Sequence, residues 1–420
     1  MFKNLKILFP ICRSITGNGL RKTIKFFQSI NPEFKLISFK SGKKVFDWHV
    51  PDEWSIKDAF IYHIKTKKKY LEFKKNNLHV LNYSTSVNLK MSKKNLIKFI
   101  YTDKKNRNAI PFVTSYYKKR WGFCASEKQK VSLPNGNYKV LIDSNFKKGK
   151  LDLVEAYIKG KKKEEIFFTS YICHPSMANN ELSGPVVVNE ILSEIKKLNK
   201  TKFSYRFVLA PETIGSICYL TKRLKLLKKR MLCGFVVSCV GAKDDYSLIK
   251  SPSGNNLSDH ALTAELRDKK KFNIYSYLER GSDERQYCSP NVDLPVSGFC
   301  RTKYGKFKEY HTHLDNLNFV KEKTLRESVN VFKNIIFSFE KHFIPKSLTI
   351  CEPFMTKRSL YPTVSSRDHR ERNIQNMMDY IAYSNGKRNI FEISKILKLS
   401  LKDCLEISEK LIKNKLIKIS

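Results

Sequence analysis

The sequence predicts an α/β protein with a mainly parallel sheet, a small all-β insert and a C-terminal winged helix. Three observations predict it. Strand-like and helix-like segments alternate from 113 to about 348. The stretch 34–112 carries only short β-like runs, and the tail reads as three short helices with a β ending. At 420 residues, 41% hydrophobic and 12% aromatic, the chain is long enough for two or three domains with buried cores. That excludes a disordered or collagen-like chain.

The elements follow in order. The opening through Ile30 is helical, with apolar residues at helical spacing over 20–27 and Gly17-Asn18-Gly19 breaking the chain just before. The insert's β-like runs are 45–51, 59–64 and 78–83, separated by Lys-, Asn- and Asp-rich turns. In the α/β part, strands are predicted over 165–172, 205–210, 233–240 and 294–300, and helices over 184–198, 217–227 and 323–342. A polar connector follows Pro353 and Pro362. The tail, 372–420, gives helices over 374–383, 390–397 and 401–413 and a strand over 416–419, a winged helix-turn-helix pattern.

The charge is strongly positive: 80 Lys+Arg against 39 Asp+Glu. The excess is global. The last 49 residues hold ten Lys/Arg and five Asp/Glu, the same two-to-one ratio as the whole chain. A nucleic-acid footprint is normally a local, often Arg-rich patch, so the composition argues against DNA as a partner and leaves a general anion-binding surface open. No run of eighteen apolar residues occurs, so no membrane span is expected, and no signal peptide is read at the start. Ten cysteines without a C-x-x-C pair then read as reduced thiols of a cytoplasmic protein.

Chemistry gathers in four loops. Cys173-His174-Pro175 through Ser183-Gly184 follows the first central strand. Pro211-Glu212-Thr213-Ile214-Gly215 follows the next. Gly281-Ser282-Asp283-Glu284-Arg285 and Tyr310-His311-Thr312-His313-Leu314-Asp315 are the others. Ligands of open α/β sheets bind outside the carboxyl ends of strands, where His174 and Glu212 are placed. Histidines and carboxylates at one sheet edge supply what a zinc site with an open position needs, and a nearby Glu can take a proton from water. The spacing alone favours ordinary polar loops over a metal site.

These loops resemble the co-catalytic zinc aminopeptidases of peptidase clan MH, which have a phosphorylase/hydrolase-like fold. His174, the stretch Ala178-Asn179-Asn180-Glu181-Leu182-Ser183-Gly184, Glu212 before Gly215-Ser216, and His311-Thr312 followed by Asp315 stand in that family's order. The chain more specifically resembles a family with an aminopeptidase-like domain, a β-rich, jelly-roll-like insert and a C-terminal winged helix. Its members are often labelled polysaccharide-biosynthesis proteins. Leu8-Phe9-Pro10-Ile11-Cys12-Arg13, Tyr116-Tyr117-Lys118-Lys119-Arg120-Trp121 and Ser282-Asp283-Glu284-Arg285-Gln286-Tyr287 carry that match. On it, residues 1–33 and 113–348 form the aminopeptidase-like domain.

The resemblance implies Glu212 as general base, and His174 and His311 as metal ligands with Glu181 or Asn180 beside them. The chain departs from the two-zinc pattern. Asn180 stands at the bridging-carboxylate position, Thr213 replaces the second glutamate of a pair, and Ala242 stands where an Asp is expected, with Asp244 as a substitute through a loop shift. Amide and hydroxyl oxygens are weak zinc ligands, so one zinc is favoured over two. Asp283, Glu284 and Arg285 are the implied substrate-binding residues, with a turn-capping ion pair as the alternative. Tyr310 is an implied oxyanion donor, with a packed aromatic as the alternative. His313 is read as solvent-facing, and Trp48, Trp54 and Trp121 as core or interdomain residues.

The resulting expectation is a zinc-dependent, aminopeptidase-like amide hydrolase acting on a peptide or amino-acyl amide. The winged helix would offer a surface to a protein partner, and homo-oligomerisation is left open. The rival is a catalytically impaired peptidase fold acting as a binding or regulatory protein, for which Asn180 and Thr213 are the evidence.

Overall fold

The computed structural model describes residues 1–361 and 369–420. At its centre, strands Lys35–Lys40, Lys150–Ile158, Ser204–Ala210, Glu165–Tyr171, Met231–Val237, Val296–Cys300, Tyr246–Ile249 and Phe272–Tyr275 lie side by side in that order. The four from Ser204–Ala210 to Val296–Cys300 run parallel. Both strands on the Lys35 side join antiparallel, as does Tyr246–Ile249 on the other. The sheet is therefore mixed, with a parallel centre and antiparallel neighbours on both sides. The antiparallel strand Lys150–Ile158 is reached directly from the insert strand Asn137–Lys147, which strand–helix alternation does not reveal.

The central strands Glu165–Tyr171 and Ser204–Ala210 are buried along their whole length, as expected for parallel strands covered on both faces. Phe168 shows why. Its ring stacks on Phe207 at 5.3 Å and meets Phe332, from the helix Glu322–Lys341, edge-on at 5.2 Å. Helices Asn18–Ile30, Ser183–Lys196 and Leu257–Leu266 join that apolar cluster, while Ile214–Arg230 packs in a second one. Gly184, at the start of Ser183–Lys196, lies so close to the sheet that a Cβ would collide with Ser170 Oγ and the Val237 carbonyl. That close approach requires glycine.

The insert is an antiparallel sheet of Lys68–Tyr70, Glu53–His63, Asn137–Lys147 and Val87–Ser92. Its bounds differ from 34–112. Lys35–Lys40 belongs to the large sheet, and Asn137–Lys147 belongs to the insert before the chain crosses into Lys150–Ile158. The run at 78–83 is not a strand. It forms a tight turn at Asn77–His79 followed by isolated bridges, and its apolar residues are buried against the insert and the N-terminal segment.

The tail has helices His369–Tyr383, Ile390–Leu397 and Leu401–Lys413, and its last strand, Ile417–Ile419, pairs with Pro345–Ser347. Of the expected polar connector, 362–368, including Pro362, lies outside the described residues. Among the described residues no helix is long and apolar enough to cross a membrane.

Candidate active site

Adjacent parallel strands set the frame. Tyr171 and Ala210 end their strands side by side, and the ladder continues through Ile172 N to Ala210 O at 3.0 Å. The loops that follow are consequently neighbours: Glu212 N donates to Cys173 Sγ at 3.2 Å. From this edge His174 Nε2 lies 3.6 Å from Glu212 Oε2. His174 Nδ1 bonds Glu181 Oε2 at 2.5 Å. His311 completes the group, its ring 5.4 Å from that of His174. Phe112, on the chain leaving the insert, stands edge-on to both rings at 5.0 and 5.5 Å.

Local structure fixes each member. Arg13, fully buried, donates from Nε to the His174 carbonyl at 2.9 Å; this gives the N-terminal motif a physical task. Asn180 and Glu181 sit on a π-type turn, Ala178–Leu182, a form that often marks functional sites. Asp315 anchors that turn by accepting from Asn179 N at 2.6 Å and Asn180 N at 2.7 Å. Burial nevertheless pushes the Asp315 carboxyl up to about 7. Thr213, directly after Glu212, has φ 64° and ψ −78°, with Ile214 N bonded to Glu212 O at 2.8 Å. This is the rare, strained γ-turn of positive φ, and such strain clusters at functional sites.

The charges are interdependent. Burial would depress the His174 imidazolium, but the Cys173 thiol and the Glu181 carboxylate beside it outweigh burial and hold its pKa well above the usual histidine value. His311, half-buried beside that charge, is pushed down to about 3, chiefly by desolvation. The Glu212 carboxyl is raised, chiefly by burial, against the opposing pull of His174 and Arg285.

The donor set suits a metal. One ligand atom each from Cys173, His174 and Glu181 lies within 4.8 Å of the others, all three residues buried. Glu181 Oε1 is buried without a hydrogen-bond partner. Asn180 is placed differently, its Oδ1 accepting from Tyr171 Oη at 3.2 Å and from Cys239 Sγ at 3.6 Å. Asp244 does not substitute for Ala242: its side chain is 70% exposed and turns to Arg301 instead.

The remaining candidates separate. Asp283 Oδ1 accepts from Thr213 N at 2.7 Å and so braces the strained turn. Glu284 Oε1 accepts from Gly281 N at 2.9 Å, from Ser282 N and from Tyr304 Oη. Both acids are buried, whereas Arg285 is exposed and lines the cleft. Tyr310 stacks on His311 at 4.0 Å, behind it rather than on the cleft wall. His313 is not solvent-facing; it is half-buried, and its Nδ1 accepts from Ile110 N at 3.0 Å. Trp48 is neither core nor interdomain packing. It lines the cleft, with its ring 5.4 Å from Tyr117.

Sequence reasoning missed Cys173, Phe112, Ser282 and the aromatic wall. Ser282 Oγ donates to Glu212 Oε1 at 3.1 Å. The Tyr116-Tyr117 pair in the quoted motif was the available signal for the wall. Together these groups enclose about 420 Å³, the size of a small-molecule site.

The family model described as a domain of unknown function (DUF4910) matches residues 2–342, and a winged helix-turn-helix model matches 344–419. A Clostridium acetobutylicum protein, whose name couples polysaccharide biosynthesis to an aminopeptidase-like domain, is 38% identical over 396 residues, covering 94% of this chain and 90% of that one. A Clostridium acetobutylicum crystal structure described as a peptidase superposes with TM-score 0.88 at 35% identity, over 100% of this chain and 96% of that one. The Bacillus subtilis zinc aminopeptidase shares the fold at TM-score 0.59 and 12% identity, over 81% and 94% of the two chains. The architecture is thus an aminopeptidase-like domain followed by a winged helix.

Proposed function

The chain belongs to the DUF4910 family, and from that membership and the geometry of the cleft we propose that it is a zinc-dependent amide hydrolase acting on a peptide or amino-acyl amide. The observation that carries the reading is the convergence of Glu181 and His311 on His174 and Glu212, which follow two adjacent parallel strands, with His174 Nε2 3.6 Å from Glu212 Oε2. His174, His311 and Glu181 would hold the ion, with Cys173 within reach. A zinc so held polarises a carbonyl and acidifies water.

The chain's own residues do the rest. Glu212 takes a proton from water at Oε2 and returns it to the leaving nitrogen. Ser282 Oγ holds the other carboxylate oxygen, and the braced turn at Thr213 fixes where Glu212 points. Phe112 and the aromatic wall exclude bulk water from the two histidines. One zinc fits better than two, because Asn180 Oδ1 is engaged by Tyr171 and Cys239 and Ala242 offers no ligand. The relative's name suggests an amide of surface-glycan metabolism as the setting.

Asn180 and Thr213 favour the second reading, a binding or regulatory protein on a peptidase fold. Elemental analysis combined with amide hydrolysis separates the two. The hydrolase requires about one zinc per chain, lost in the His174→Ala/His311→Ala double variant together with turnover. Two tightly held zincs overturn the single-metal form, and zinc that survives the double substitution overturns the site.

A further inference from the structure

Recognising a substrate ammonium by charge pairing takes a carboxylate other than the catalytic base. Among the described residues this cleft has none. Glu212 is the one carboxylate on its wall, and the one full-time cation there is Arg285. The two acids that sequence placed next to Arg285 are withdrawn: Asp283 is occupied by Thr213 N, and Glu284 by Gly281, Ser282 and Tyr304. Asp47 precedes Trp48 but does not line the cleft.

Arg285 is presented for use. Its Nη2 donates to Thr213 Oγ1 at 2.7 Å, which fixes the guanidinium at the wall, and that bond takes one of five N–H donors. The same cleft is lined by Trp48 and Tyr117, 39% and 50% exposed, their rings at 69° to one another. Tyr117 is tied down by its hydroxyl, which donates to His49 O at 3.0 Å. Lys118, Lys119 and Arg120, which follow Tyr117, are exposed but do not line the cleft.

We infer that the cleft selects an anionic substrate, a carboxylate-bearing amide with an apolar ring or chain, and does not select one by a free ammonium. The carboxylate pairs with Arg285 in charge-assisted hydrogen bonds, and the apolar part lies against Trp48 and Tyr117. The inference rests on this cleft being where the proposed hydrolase binds its amide.

The test uses two matched probes that are not amides, 3-phenylpropanoate and 3-phenylpropylammonium, titrated into the full-length protein by ligand-observed NMR. The anion binds at least roughly tenfold more tightly than the cation. Arg285→Gln removes that preference, Arg285→Lys retains part of it, and Trp48→Ala weakens both probes alike. Equal or tighter binding of the cation overturns the inference. So does an unchanged anion affinity in a folded Arg285→Gln protein, or binding of neither probe. If Arg285→Gln does not fold, the wild-type preference and the Arg285→Lys protein decide. An intact anion preference without amide hydrolysis counts against the hydrolase reading alone. Hydrolysis of aminoacyl amides without any anion preference counts against this inference alone.

Discussion

Glu212 is placed by its strand, steered by Ser282 and braced through Thr213, so its carboxylate has one productive direction, toward His174 Nε2. Glu212→Gln keeps volume and a hydrogen-bond acceptor but not the base. We expect the variant to bind as much zinc as the wild type and to turn over about 10²–10⁴-fold more slowly. Zinc content and rate measured on one preparation check it, and normal zinc with an unchanged rate removes Glu212 from the mechanism. Glu181 acts on the other nitrogen. Its Oε2 on His174 Nδ1 leaves Nε2 free and fixes the ring, while its unpartnered Oε1 is the atom left to hold the ion; loss of the ring-fixing bond alone typically lowers metal affinity 10–100-fold. Glu181→Gln should therefore release zinc to a chelator at that much lower chelator strength, while an unchanged competition curve would leave Glu181 no part in metal binding. His174, Glu212 and His311 were legible because each follows a recognisable strand or motif. Cys173 and Phe112 were not, because a thiol or phenyl ring in a loop looks the same whether it packs or lines a site.

The strands of the large sheet are tied by charge as well as by backbone. Arg206, 4% exposed, sits between its two neighbours. Its Nε and Nη2 donate to Glu165 at 2.5 and 2.9 Å, and its Nη1 donates to Glu155 at 2.6 Å. Tyr219 Oη and Arg223 Nη2 complete Glu155 at 2.7 and 2.6 Å. A buried network of this kind is costly to break from one side, because the remaining charge stays buried. Arg206→Met should lower stability by about 3–5 kcal/mol, read as a reduced urea midpoint with unchanged slope. A midpoint within the error of the wild type would mean that water reaches the pair. Sequence patterning found the central strands and the helices because apolar runs and helical spacing are local signals. It did not find the antiparallel edge, since Lys35–Lys40 and Lys150–Ile158 are paired by residues more than a hundred positions apart. The run at 78–83 misled it because buried apolar residues alternate there without a ladder partner.

At the scale of the molecule, the winged helix is not a free module. Phe391 lies 5.0 Å from Phe339 of the helix Glu322–Lys341, Ile390 N donates to Phe343 O at 2.8 Å, and His342 Nδ1 bonds Ser408 Oγ at 2.9 Å. The same apolar cluster runs from Phe168 in the sheet through Phe339 to Tyr380, Phe391 and Leu411 in the tail. Its last strand is completed by Pro345–Ser347, within the winged-helix match, so what the tail and the α/β domain share is a core. The tail should therefore melt with the rest of the chain in one transition, and Phe391→Ala, which removes a fully buried ring, should lower that transition by about 3–5 kcal/mol. Calorimetry checks this, and a separate low-temperature transition for the tail would refute it. The docking also bears on DNA. The helix Leu401–Lys413 carries Lys402, Lys410 and Lys413 against Asp403, Glu406 and Glu409, so no positive face is offered to a major groove. What remains is the global charge of +41, which attracts any polyanion non-specifically. The full chain should bind duplex DNA weakly and without sequence preference, with affinity falling about 10³-fold or more between 50 and 200 mM salt if six or more phosphates are contacted. Competition between duplexes of unrelated sequence at several salt concentrations measures both quantities. Sequence-selective binding that persists at the higher salt would mean the tail reads DNA despite its balanced helix.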